Sequence, residues 1–286
     1  MKLIAIDLDG TLLSPEMEIT NENLEAMREA QSRGNIVMIC SGRAPEDIQQ
    51  ILTKYDFSIP LAGSNGSVVQ AQGHLLKSVS MNREDIIEIA EKLDADRVPY
   101  RIYTNDGIYM PQDWSERVES AMEKEQIQVQ GIPDKVYKWI TEQPQKSSLI
   151  NFFSHYSELL HKKDLTIQKF FVLTLNNSVK TSLAAYLEKI GTIGFTSSHP
   201  LNIEVMDKNG NKGSALKRMA EHYGISLKDT MAIGDNFNDI PMFEMAGLSV
   251  AMGNAEPKVK EICDTVTYSN DENGVAHAIN KYVLIK

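Results

Sequence analysis

The chain is short of cysteine, of positive charge and of long apolar runs, and each shortage removes a class of protein. Its 286 residues hold two cysteines, Cys40 and Cys263, far apart and outside any metal-ligand spacing. That excludes a disulfide framework and predicts two buried thiols in a reducing, cytoplasmic setting. No segment approaches the roughly 20 apolar residues of a membrane span. The first residues run directly into a short apolar segment rather than a basic and then apolar leader, so no membrane partner is expected. Lysine and arginine number 29 against 39 acids, a formal net charge of −10. Sequence-independent nucleic-acid binding needs a cationic surface to displace counterions, so no nucleic-acid partner is expected either. A small anionic ligand stays open, because the field at a pocket can oppose the net charge. The six histidines show no ligand spacing and read as structural or solvent-facing.

What the chain does have is alternation. Short apolar runs alternate with helical periodicity, which predicts an α/β fold with a doubly wound, Rossmann-like parallel sheet. A strand at 3–8 precedes a helix near 20–33, opened by Thr20 and closed by Gly34. A strand at 36–40 leads to a helix near 45–55, a short strand at 60–62 and a hairpin of 67–70 with 74–79. The texture changes at about residue 82. A helix at 83–95 and a hairpin of 99–104 with 107–110 around Asn105-Asp106-Gly107 come first. Helices at 114–126, 134–142 and 178–190 and strands at 168–175 and 192–197 complete this stretch. The first pattern is expected to resume with a strand at 201–206. A helix at 212–223, a strand at 230–235, a helix at 238–246, a strand at 248–252 and a last helix from 273 follow. The expected organisation is a core of residues 1–81 and 200–286, with a smaller α/β unit, 82–199, inserted into it.

Four of these strand ends carry polar groups: Asp7 with Asp9, Ser41, the Lys212 region, and Asp235 to Asp239. Ligands of an open parallel sheet bind outside the carboxyl ends of its strands, so all four are expected on one edge. Two acids at the end of a buried strand are costly unless something positive sits between them. Asp7, Asp235 and a carbonyl oxygen are hard oxygen donors of the kind that suit Mg²⁺, which commonly works with phosphate. Lys212 supplies positive charge to a transferring group, and Ser41 a hydroxyl donor. A carboxylate such as Asp7 can attack phosphorus, and Asp9 can protonate the leaving oxygen and later deprotonate water. Residues 7 and 9 would share a face if the strand ran on.

The motifs also carry a resemblance. Asp7-Leu8-Asp9-Gly10-Thr11-Leu12 resembles the first motif of the haloacid dehalogenase superfamily of phosphohydrolases, and Ser41-Gly42-Arg43 its second. Asn211-Lys212-Gly213 is similar to the third, and Gly234-Asp235-Asn236-Phe237-Asn238-Asp239 to the fourth. The form of the fourth, with Asn65-Gly66 and the large insert, resembles the Cof-type branch. The resemblance spans essentially the whole chain with its motifs in order. It implies Asp7 as nucleophile and Mg²⁺ ligand, Asp9 as acid/base and carbonyl ligand, and Asp235 as third metal ligand. It implies phosphate binding by Ser41, Gly42, Lys212, Asn238 and the Leu8 amide, with Asp239 orienting metal waters or Lys212. The insert becomes a cap that chooses the substrate.

Some readings stay open at this point. Arg43 is a substrate contact or a surface salt bridge, Asn65 a turn residue or a substrate contact, and Ser41 can also cap the helix near 45–55. Trp114, Tyr103 and Tyr109 fit core packing better than ligand stacking. The expected activity is Mg²⁺-dependent hydrolysis of a small phosphorylated metabolite. Candidates implied by the resemblance are sugar phosphates, 5-amino-6-(5-phospho-ribitylamino)uracil, flavin mononucleotide and pyridoxal phosphate. A phosphomutase and a non-catalytic sensor of a phosphorylated ligand are the alternatives. Oligomeric state cannot be read from these residues.

Overall fold

The apolar runs fold as strands, and they divide between two sheets. The computed structural model describes residues 1–124 and 150–284. Two compact units result, Met1–Val79 with Asn209–Lys286, and Ser80–Lys208. The helix expected at 134–142 lies outside the described residues.

The first unit starts with β1 (Leu3–Ile6), α1 (Asn21–Ser32), β2 (Ile36–Cys40), α2 (Pro45–Thr53), β3 (Leu61–Gly63) and the hairpin β4 (Val68–Ala71) and β5 (His74–Ser78). The Asn23 amide donates to Thr20 Oγ1, capping α1, which buries Leu24, Met27 and Ala30 on one face. Ser41 does not cap α2. That helix opens on Pro45 with Ala44 at the cap position, and the Ser41 hydroxyl instead accepts the Arg43 amide at 3.2 Å.

The second unit contains α3 (Arg83–Ala95), β6 (Tyr100–Thr104), β7 (Gly107–Pro111), α4 (Trp114–Lys124), β8 (Ile150–Phe153), the single turn α5 (Ser157–Leu160), β9 (Ile167–Leu173), α6 (Asn177–Leu187), β10 (Ile193–Thr196) and β11 (Asn202–Asp207). Its sheet runs β10-β11-β9-β6-β7-β8, antiparallel except for the last pair. All seven residues of β9 are buried, because both faces of the sheet are covered. Phe170 and Val172 pack with Ile86, Ile89 and Leu183, while Phe171 and Leu173 pack with Met110, Trp114 and Val118. Tyr103, Tyr109 and Trp114 are thus packing residues.

One expected boundary is corrected. The strand at 201–206 does not resume the core: β11 pairs antiparallel with β9 and β10, Val205 lying opposite both Phe170 and Phe195. The first unit therefore resumes at Asn209 rather than at residue 200. The reason is physical. An apolar run states that a strand is buried but not which neighbours bury it.

From Asn209 the first unit adds α7 (Lys212–Tyr223), β12 (Thr230–Gly234), α8 (Ile240–Met245), β13 (Leu248–Ala251), α9 (Pro257–Ile262), β14 (Thr265–Val266) and α10 (Gly274–Ile279). The sheet order is β14-β13-β12-β1-β2-β3-β4-β5, parallel from β14 to β3 with an antiparallel hairpin at the far edge. The winding leaves β1 in opposite directions, toward β2 and β3 and toward β12 to β14, as a doubly wound sheet requires. Every residue of β1 is fully buried. Four of the six parallel strands end at Ile6, Cys40, Gly63 and Gly234. Asp7, Ser41, Ser64 and Asp235 follow directly, so one edge of the sheet collects the polar groups.

Candidate active site

β1 stops at Ile6, one residue before the first acid, and Leu8–Leu12 turns back as a short helical segment broken at Asp9 and Gly10. The strand expected over 3–8 thus ends two residues early, and the condition under which residues 7 and 9 would share a face is not met. Asp7 is buried, its amide tied to the Ile233 carbonyl at 2.9 Å, whereas Asp9 is exposed. Gly10 takes a left-handed φ of 77°, and a Cβ there would meet the Asp235 carboxylate. Only glycine permits that approach.

Lys212, the first residue of α7, is fully buried and brings the acids together. Its Nζ donates to Asp7 Oδ1 and to Asp239 Oδ1, both at 2.5 Å. Asp239 also accepts the Asp235 and Asn236 amides on Oδ2, at 2.9 and 3.0 Å. Its carboxylate is thus committed to holding Lys212 and the loop after β12. Asp235 is buried and accepts Thr11 Oγ1 on Oδ1 at 2.8 Å. The carboxylates of Asp7, Asp235 and Asp239 place ligand oxygens within 4.8 Å of one another.

One ammonium does not balance three buried acids. Burial raises the Asp7 carboxyl well above its usual range, with Asp239 and Asp235 adding to the effect against the pull of Lys212. Burial, reinforced by Asp239, pushes Asp235 up to about 7 although Thr11 and Lys212 work the other way. Burial also disfavours the Lys212 charge, but Asp239 and Asp7 outweigh it and hold the ammonium firmly protonated. A divalent cation would supply the missing charge. The available donors are hard carboxylate oxygens, so the residues fit Mg²⁺ by chemistry as well as by charge.

The remaining residues stand around this cluster. Ser41 is buried at the end of β2, with its carbonyl accepting the Asn65 amide at 2.9 Å. Asn65 is buried in a left-handed turn, φ 58°, and its Oδ1 accepts Asn238 Nδ2 at 3.3 Å. Two residues from separate motifs thereby meet. Leu8 is buried and Gly42 half-buried. Arg43 does not stand free: Nε and Nη2 grip both oxygens of Asp9, at 2.7 and 2.5 Å. Cys40 is buried beneath the site, its Sγ 3.9 Å from the Lys212 carbonyl, and burial lifts its thiol to about 12. Cys263 is only half-buried, which corrects the expectation for that thiol.

Two positioning groups had no role assigned by the motifs. Thr11 fixes Asp235, and Asn254 donates Nδ2 to the Gly10 carbonyl at 2.8 Å. Thr11 lies beside the paired acids and was within reach of a reading by spacing. Asn254 follows β13 with no signal of its own.

A buried lysine between acids from two strand ends, with Asp-x-Asp-Gly-Thr at the first, matches one family of hydrolases. Residues 4–279 match the family model of the haloacid dehalogenase-like hydrolases. The chain belongs to this family. Among similar proteins of Bacillus subtilis, phosphatase YwpJ is 33% identical over 280 residues, covering 97% of this chain and 98% of that protein. The 5-amino-6-(5-phospho-D-ribitylamino)uracil phosphatase YwtE is 34% identical over 285 residues, 98% of each. A solved haloacid dehalogenase-like hydrolase from B. subtilis superposes with a TM-score of 0.86 at 31% identity, over 99% of this chain and 100% of that one. The protein is thus a haloacid dehalogenase-type phosphatase of the Cof-type branch. Among the described residues no helix is long and apolar enough to cross a membrane.

Proposed function

We propose that the protein is a Mg²⁺-dependent phosphatase of a small cytoplasmic phosphomonoester, working through an aspartyl-phosphate on Asp7. The observation that carries this is the buried Asp7–Lys212–Asp239 network beside Asp235, with acid in excess of base. Asp7 and Asp235 would hold the metal, with the Asp9 carbonyl that the family likeness implies. Mg²⁺ there would neutralise the acids and the incoming phosphate.

The chain's own groups account for the rest. Lys212 fixes the Asp7 carboxylate and offers charge to the phosphoryl oxygens. An Asp7 oxygen attacks phosphorus, the bond from phosphorus to the ester oxygen breaks, and that oxygen takes a proton from Asp9. Water then attacks the phosphorus, gives its proton to Asp9, and the bond to Asp7 breaks to release inorganic phosphate. Ser41, Gly42, Asn238 and the Leu8 amide complete the phosphate site, and Asn65 orients Asn238 through their hydrogen bond. The likeness to YwtE favours the ribityl phosphate of the aminouracil as substrate, with sugar phosphates next.

The test is phosphate release from a panel of phosphomonoesters, with Mg²⁺ and with a chelator. Metal-dependent turnover that Asp7→Asn abolishes supports the reading, and the ranking names the substrate. Full activity in Asp7→Asn would overturn the nucleophile. Turnover only in the presence of a bisphosphorylated activator would make the enzyme a mutase.

A further inference from the structure

Arg43 and Asp9 lie 34 residues apart, at the ends of the adjacent parallel strands β2 and β1. Their contact uses two nitrogens on two oxygens, the planar fork that only arginine offers to a carboxylate. Both ends are held by backbone. The Arg43 amide donates to Ser41 Oγ at 3.2 Å, and its carbonyl accepts the Ser64 amide at 2.7 Å. Opposite it, Asp9 sits beside Gly10, whose carbonyl accepts Asn254 Nδ2. The pair is open to water, with side-chain exposures of 30% for Arg43 and 48% for Asp9. An ion pair this exposed adds little to stability. What it does supply is direction, since a bidentate fork sets the plane and the heading of the carboxylate.

We propose that Arg43 is a positioning residue that acts through Asp9, orienting the acid/base toward the leaving oxygen, rather than a residue that binds substrate. The Nε and Nη2 edge that a phosphate would occupy is already committed to Asp9. The proposal rests on the reading of Asp9 as the acid/base.

The test uses aryl phosphates of similar shape whose leaving groups differ in basicity, from p-nitrophenyl to phenyl phosphate. It follows kcat/KM, which reports the steps up to transfer onto Asp7. p-Nitrophenolate departs without a proton, whereas phenolate needs one, and a general acid is worth about 10²–10⁴ in rate. Wild type should show a shallow dependence on leaving-group basicity. Asp9→Asn should show a steep one. Arg43→Ala should be steep as well, with the phenyl to p-nitrophenyl ratio down by about tenfold or more. Arg43→Lys, a point charge without the fork, should fall between. The double variant should match Asp9→Asn alone, because both changes remove one function. The slope is a ratio within one preparation, so partly unfolded protein does not move it. A uniform loss across the series in Arg43→Ala, with the slope of wild type, would make Arg43 a substrate contact and overturn the proposal. An unchanged slope in Asp9→Asn would instead overturn the role of Asp9.

Discussion

Asp239→Asn removes a charge without removing a shape, and the structure says what that should cost. The Asp239 carboxylate is fully buried and accepts three donors, Lys212 Nζ on one oxygen and the Asp235 and Asn236 amides on the other. An asparagine can keep one oxygen on the two amides, but its NH₂ then faces the Lys212 ammonium, donor against donor. The lysine, with no exposure, retains only Asp7 as a charged partner among the described residues. Breaking one side of a buried ion pair costs about 3–5 kcal/mol. That is a large share of the roughly 5–15 kcal/mol of a whole fold. Urea unfolding of the first unit should therefore move to a lower midpoint with unchanged slope. Trp114 is buried in the Ser80–Lys208 unit, and Trp139 lies outside the described residues, so tryptophan fluorescence is not the probe for the first unit. Circular dichroism, or hydrogen exchange of the β1 and β12 amides, is the appropriate probe. A loss below about 1 kcal/mol, the worth of an ordinary neutral hydrogen bond, would refute the network as the support of the site.

Other outcomes follow from the same contacts. Asp235 stands at about 7 in the metal-free protein against 3.8 ordinarily, so the folded chain holds a proton there that the unfolded chain has lost. Metal-free stability should fall as pH rises from about 4 to about 7, and calorimetry in two buffers should show Mg²⁺ binding releasing protons at pH 6, because Asp7 and Asp235 are both raised. Metal binding without proton release at pH 6 would contradict the raised carboxyl. Gly234→Ala should lower the thermal midpoint through a loss of about 1–3 kcal/mol, because its Cβ would overlap an Asp239 carboxylate that three hydrogen bonds hold in place. In the second unit, Lys169 is fully buried and donates to Glu204 at 2.7 Å. Lys169→Met alone should destabilise that unit by about 3–5 kcal/mol, with the Lys169→Met/Glu204→Leu pair recovering most of it in Trp-monitored unfolding. An additive loss in the double variant would deny the coupling.

The site was legible to the degree that chemistry follows strand ends. Asp7, Ser41 and Asp235 each close an apolar run, and a parallel sheet brings such ends to one edge whatever the details of packing. The insert was legible because the chemistry-bearing residues stop at its borders. Other features depend on contacts that no local pattern encodes. The direction of Asp9 turns on β1 ending at Ile6 rather than at residue 8, a difference of two residues. The sheet that owns β11 depends on its antiparallel pairing with β9. The Asn65–Asn238 bond joins residues 173 positions apart, and each alone reads as a turn or a cap. Short elements such as β8, α9 and β14 carry too few residues for periodicity to show.

The position of β1 between β2 and β12 also has a bearing on how the chain comes off the ribosome. β1 and its partner at Thr230–Gly234 are separated by more than 220 residues, so β1 is made long before that partner. At roughly 5–20 residues per second, β1 waits ten seconds or more with one side of its ladder unpaired. The continuous stretch Ser80–Lys208 is synthesised in that interval, and among the described residues every strand of its sheet is made by Asp207. When it folds, it shortens the loop that β1 and β12 must close, from a free chain of more than 200 residues to a tether between nearby segments. An early folding of the second unit therefore speeds completion of the first, and Asp7 remains without Lys212 and Asp235 until that last step. Asp7 is thus made long before the residues that complete its site, and it stays inert until they are in place.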